Sequence, residues 1–127
     1  MTDINMQYFK SIIDQDVNEI VICDLDTNII YMNPAAIRHH EKRGGKALIG
    51  TSMMRFLGTE CQNKVCKGLA WFKESKDHNI IYTIHNDKYD RDEYMVALRD
   101  EEGNLIGYYE KHIVKSPETM KHYDFHE

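Results

Sequence analysis

Residues 20–40 read IVICDLDTNIIYMNPAAIRHH, and the stretch changes character twice. EIVICD, residues 19–24, is a short apolar run that predicts a strand. Leu25-Asp26-Thr27-Asn28 is turn chemistry, and Ile29 to Met32 predicts a second strand, so residues 19–32 form a hairpin. Asn33 then suits a helix N-cap, because its side-chain oxygen takes a free amide of the first turn. Pro34 suits the first helical position, where no donor is needed. The helix runs to about Arg43, where Gly44-Gly45 stop it.

Working outward, DINMQYFKSIIDQ (residues 3–15) is an amphipathic helix with Met6, Phe9 and Ile13 on one stripe. Leu48-Ile49-Gly50 and Met53 to Leu57 read as short one-turn elements. Thr59-Glu60-Cys61-Gln62 fits a capping box, with Thr59 as N-cap, and opens a helix over 60–75. Cys61, Val65, Leu69 and Phe72 are its apolar stripe. The period then becomes two through 80–85 and 94–99, and residues 105–114 form a last strand after the hairpin loop Asp100 to Asn104. Ser116-Pro117 repeats the cap-then-proline signal and opens a short C-terminal helix or tail. Two leading and three trailing strands predict an α+β fold: a five-stranded antiparallel sheet with helices on one face and the N-terminal helix on the other.

At 127 residues the chain is one domain's length: a core over 17–115, a cap helix over 3–15 and a tail over 116–127. The first twenty residues carry five charges, so a signal peptide is not expected. No apolar run approaches the roughly 18 residues of a membrane span, and a cytoplasmic location follows. A net charge of −5 argues against nucleic acid as the main partner. Three widely spaced cysteines (Cys23, Cys61, Cys66) suit a reducing compartment better than a disulfide framework.

Three groups of residues in this order resemble the PAS domain. Asp24, Asp26, Ile30, Asn33, Ala35 and Ala36 match its hairpin-to-helix corner. Leu48, Ile49 and Gly50 match a following LIG, and Arg99 to Gly103 with Gly107 match its last hairpin. The spacing is most similar to PAS-like modules found next to bacterial hemerythrin-like domains. Those carry a Cys-His-Pro-Pro motif, of which only Cys61 is present here. The resemblance implies a PAS-like fold with a cavity between the sheet and the helices at 34–43 and 60–75. It implies a sensory module that binds a small molecule, signals to a protein partner in trans and forms a homodimer through the N-terminal helix or the outer sheet face. Haem is an admissible cofactor. A photochemical flavin is not expected, because residues 58–62 share only a Gly and a Cys with the reactive flavin motif.

The expected cavity lining is Ile22, Met32, Met53, Phe56, Val65, Leu69, Ile84, Val96, Ile106 and Tyr108. His40, His85, Glu110 and His112 are candidate polar groups within it. Glu110 and His112 share one strand face; inside the cavity they orient a ligand, and outside it they form a surface pair. Adjacent helical residues point about 100° apart, so His39 and His40 are not expected to share a metal. Cys61 and Cys66 read as small buried hydrophobes. His122 and His126 stand at i, i+4 in the tail, and no metal site is expected there. No phosphate loop, nucleophile elbow or HExxH is present, so an enzyme is not expected. The rival readings are a haem-binding gas or redox sensor, a small acid/base enzyme of cone-shaped α+β type using His85, Glu110 or His112, and a solidly packed dimerisation module.

Overall fold

A computed structural model describes residues 3–123. Helix α1 (Ile4–Gln15) precedes the hairpin β1 (Val21–Asp24) and β2 (Ile29–Met32). Helix α2 (Pro34–His39) follows, then three 3-10 turns, the long helix α3 (Thr59–Glu74), and strands β3 (Ile80–Asn86), β4 (Arg91–Arg99) and β5 (Leu105–Val114). The strands make one antiparallel sheet in the order β2-β1-β5-β4-β3. Described residues 116–123 form no helix, and His126 lies outside the described residues.

The corner at Asn33 is built as its sequence predicts and does more than cap α2. Its Oδ1 accepts from Ala36 N and from Ile20 N, both at 2.9 Å. Its Nδ2 donates to Ile13 O at 2.9 Å and to Asn18 O at 3.0 Å. One buried side chain thus ties the end of α1, the entry to β1 and the first turn of α2.

The two hairpin loops share one device. Asp24 Oδ1 accepts from the amides of Asp26 and Asn28, and Asp100 Oδ1 accepts from those of Glu102 and Asn104. The residue before each Asn has positive φ: Thr27 at 66° and Gly103 at 85°. Gly103 takes that conformation without steric conflict, whereas Thr27 is β-branched and strained there. Gly107 answers a different need, since a Cβ at this position would collide with the Cys23 carbonyl on the neighbouring strand.

The capping box at the start of α3 does not form. Gly58 is the N-cap, with no side-chain bond, and Gln62 instead donates to Leu57 O at 2.9 Å and Met54 O at 3.2 Å. The other end of α3 is held by Arg99. Its Nη2 donates to the carbonyls of Phe72 (2.7 Å), Ser75 (3.0 Å) and His78 (3.1 Å). These are orphan carbonyls of the last turn and the chain just past it.

The core lies between the inner sheet face and the helices, around Cys23, Ile29, Met32, Val65, Leu69, Phe72, Met95 and Tyr108. Helix α1 reaches the outer face only at its C-terminal end, where Tyr31 donates to Asp14 and Lys10 sits over the Tyr31 ring. Most of the outer face is therefore open, and Ile4, Met6, Phe9 and Ile12 of α1 are exposed.

Asn33→Ala removes the cap, about 1 kcal/mol, and leaves buried amides and carbonyls unsatisfied at about 1–3 kcal/mol each. Urea denaturation is expected to show a loss of about 3–4 kcal/mol. A loss under about 1 kcal/mol would mean that the α1 and β1 contacts carry no weight beyond capping.

Candidate functional site

Strand register decides which side chains face the helices. Glu93 pairs with His112, Met95 with Glu110, and Ala97 with Tyr108, and all six point inward. Three bulges interrupt this alternation. Ile30, Thr83 and Ile106 have no cross-strand partner, at the shifts near Ile22/Cys23, Tyr82/Ile84 and Leu98/Arg99.

The expected lining divides accordingly. Met32, Val65, Leu69 and Tyr108 are core residues of the inner face and helices, with Met53 and Phe56 packed against them. Ile84 lines the cavity because the bulge at Thr83 turns it inward. Ile22 and Val96 lie on the outer face, each opposite Tyr109. Ile106, 52% exposed, is turned out by its bulge, and Leu105 packs against the core instead. These three positions correct the sequence expectation, since period-two counting cannot see a bulge and both faces of β4 read as apolar.

Two cavities share Leu57, Glu93 and Glu110 as a common wall. One, of 270 Å³, is apolar, lined by Leu57, Cys61, Val65, Ile84 and Met95 with Thr83 and Lys64 at its edge. The other, of 210 Å³, is polar, and its walls include Glu19, His39, His40, Arg91, Glu93, Glu110 and His112. Cys61 is therefore a wall residue and exposed, and Cys66 is exposed without lining the cavity, so neither is a buried hydrophobe.

Of the four candidate polar groups, His40, Glu110 and His112 meet in the polar cavity. His85 does not. It lies on the outer face, paired with Asp92, its Nδ1 2.9 Å from Asp92 Oδ1, and that bond raises its pKa. The histidine pair also departs from expectation. Helix α2 ends at His39, and His40 leaves it at φ −102° and ψ 18°. Their ring nitrogens consequently converge with Glu19 to within 4.8 Å, which two residues inside a helix would not do.

Sequence reasoning missed Glu19, Arg91 and Glu93. Arg91 Nη2 donates to Glu19 Oε1 at 2.9 Å, and His39 Nδ1 stands 3.2 Å from Glu19 Oε2. Arg91, Glu93 and Met95 alternate on one strand face, a pattern visible in RDEYM. Glu19 has no such signal, because its partner lies 72 positions away.

Burial governs the charges. Glu110 is pushed up to about 7, first by desolvation and then by the Glu93 and Glu19 carboxylates. His112 is pushed down by burial and by Arg91, and His40 by burial and by His39. Below about 4.5 the Glu110 carboxyl is protonated whether folded or unfolded. As pH rises from there through 7 the unfolded chain releases its proton first, so folding stability falls across that window. In buffer containing EDTA, Glu110→Gln is expected to stabilise the chain at pH 8 by on the order of 2–3 kcal/mol and to change little at pH 4. Urea titrations at the two pH values check this, and an equal effect at both would remove the buried ionisation as its cause.

No protein-family model matches the chain, and no curated protein matches it. Solved structures do. The PAS domain of BvgS from Bordetella pertussis is 14% identical, with a TM-score of 0.59 over 91% of this chain and 89% of that one. A PAS domain from Colwellia psychrerythraea is 16% identical, with a TM-score of 0.57 over 90% of this chain and 100% of that one. The Aer2 receptor of Vibrio cholerae, described as a dual PAS-haem oxygen sensor, is 19% identical, with a TM-score of 0.52 over 77% and 94% of the two chains. These neighbours lend no support to the closer likeness with hemerythrin-associated modules. The sheet order, the helices on its inner face and these likenesses agree: the chain has the PAS fold.

Proposed function

We propose that the chain is a sensory module whose inner cavity binds a small ligand and which signals to a protein partner in trans. The observation that carries this reading is the cavity itself, an apolar chamber ending on Glu93 and Glu110, with His112 in the polar chamber beyond. Ligand sites are mostly apolar with a few convergent polar groups that fix orientation. A ligand with an apolar body and a polar head fits this division. Its body bears on α3 between Cys61 and Val65, and so couples occupancy to the helix. Residues 17–115 are the binding core in this reading, with helix 3–15 and segment 116–127 as appendages.

The reading is of a binding module and not an enzyme. His85, which an acid/base site would join to Glu110 and His112, sits across the sheet from them. Haem is the rival occupant, with His40 or His112 as axial ligand. Cavities of 270 and 210 Å³ support something smaller, since drug-sized ligand sites run about 300–1,000 Å³. A photochemical flavin is not proposed. No helix among the described residues is long and apolar enough to cross a membrane. Three free cysteines support a reducing, cytoplasmic setting, and the net charge of −5 argues for a partner other than nucleic acid.

A homodimer belongs to the same proposal. Ile4, Phe9 and Ile12 on α1, with Ile80, Tyr82 and Ile113 on the outer sheet face, leave large apolar side chains exposed. Exposed apolar side chains on two elements of one surface are the feature that supports a self-interaction here.

Native mass spectrometry with an absorption spectrum of freshly purified protein tests the ligand. A bound small molecule without a Soret band is expected, and Val65→Trp, which fills the apolar chamber, should abolish its retention. An empty cavity that neither retains nor takes up small molecules would favour a solidly packed dimerisation module, and a Soret band would favour haem. For the dimer, sedimentation is expected to give twice the chain mass, and Phe9→Glu with Ile12→Glu to halve it. A wild-type monomer at high micromolar concentration would sink that part.

A further inference from the structure

We propose that Glu93, Glu110 and His112 form a binding site for a divalent transition-metal ion of the Zn²⁺ class at the polar head of the cavity. The inference rests on the cavity being a ligand site and puts an ion where its two chambers meet.

The sheet brings the three side chains together. Glu93 and His112 are direct cross-strand partners, and Glu110 lies two residues before His112 on the same inner face. One ligand atom of each lies within 4.8 Å of the others. His112 Nδ1 stands 3.6 Å from Glu93 Oε1. That is long for a hydrogen bond, but close to the roughly 3.3 Å between two ligands of one tetrahedral Zn²⁺.

An independent observation points to a missing partner. The His112 side chain is only 4% exposed, yet its Nδ1 has no hydrogen-bond partner. Buried ring nitrogens are normally satisfied; this one faces a carboxylate across a gap. The Glu110 side chain makes no hydrogen bond or ion pair among the described residues. Glu93 is held from behind, its Oε2 accepting from Asn86 Nδ2 at 3.2 Å, which leaves Oε1 towards His112. Such outer hydrogen bonds orient metal ligands.

The surrounding charges leave room for a cation. Arg91 is bonded to Glu19 at 2.9 Å, and His39 is also on Glu19. Arg43 stands over the Phe56 ring, and Lys64 is directed to Glu60, 3.9 Å away. His40 lines the polar chamber without an acidic ion-pair partner; its nearest polar contact is Arg43, 3.5 Å from its Nδ1. None of these cations forms an ion pair with Glu93 or Glu110, so the two carboxyl groups and the His112 ring face one another without a cation between them. One imidazole and two carboxylates suit Zn²⁺, Co²⁺ or Ni²⁺ better than the all-oxygen shells of Ca²⁺ and Mg²⁺. Three protein ligands leave a coordination position open, available to the head of an organic ligand. The cluster of Glu19, His39 and His40 is the weaker candidate, because Arg91 already answers Glu19.

The test is titration of the full, chelator-treated chain with Co²⁺, followed by absorption, and with Zn²⁺, followed by calorimetry. One ion per chain, d–d absorption and a raised melting temperature are expected. Glu93→Gln, Glu110→Gln and His112→Gln should each weaken binding by more than about tenfold, while His39→Ala leaves it within about twofold. Far-ultraviolet circular dichroism identifies any variant that fails to fold, and the remaining two then decide. No uptake of either ion by the wild-type chain overturns the site. So does uptake that survives all three substitutions or is lost only with His39→Ala. A chelated chain that binds neither ion but retains an organic molecule overturns the ion site alone; a chain that retains neither overturns the ligand-cavity reading as well.

Discussion

The arrangement depends on one buried amide. Asn33 uses both its acceptor and its donor, and each bond goes to a different piece of chain: the end of α1, the approach to β1 and the start of α2. None of these pieces buries enough apolar surface to fix its direction unaided. Helix α1 has no buried residue among those described, and α2 is only six residues long. An isolated helix of either length is marginal in water, so their placement is set by a polar contact that water cannot easily replace. That contact also sets the angle at which α2 leaves the sheet, and hence where His39 and His40 arrive beside Glu19.

The cavity follows from sheet register in the same way. Antiparallel pairing puts Glu93 opposite His112 and Met95 opposite Glu110, so one face carries apolar side chains at its centre and ionisable ones towards the open end. The three carboxylates Glu19, Glu93 and Glu110 are brought close only by folding, and Arg91 balances part of their charge. Buried like charges are normally removed or compensated. Keeping them together costs stability.

Much of the fold was legible in local chemistry. The Asn33-Pro34 corner and the two hairpin loops each have a mechanism confined to a few residues, and sequence reading found them, whereas α2 ends at His39, short of the Gly44 stop, which closes a 3-10 turn instead. What stayed hidden was set at a distance. A bulge adds one residue to one strand and turns the next side chain to the other face. Ile106 was accordingly on a face that simple alternation did not predict, while Ile22 and Val96 fell outside because the neighbouring positions Cys23, Met95 and Ala97 also read as core. The capping box at Thr59 failed for a related reason, since the Gln62 amide found carbonyls in the preceding turn instead. The site's charged half was the least legible, because Glu19 acquires its role only through Arg91.

The two ends of α3 are fastened unequally. Arg99 clamps three carbonyls where the helix finishes, and His78 stacks on Trp71 beside that clamp, with ring centroids 3.9 Å apart. The start has no side-chain cap and is tied to the preceding segment through the Gln62 amide. The helix is therefore a lever with its pivot at the clamp and its free end over the apolar chamber. Sixteen residues give an arm of about 24 Å, so a tilt of about 5° moves the free end by about 2 Å. A shift of that size is comparable to the van der Waals radius of one methyl group. In the proposed reading, an occupant of the apolar chamber that tilts α3 about its clamped end moves the start of the helix on this scale.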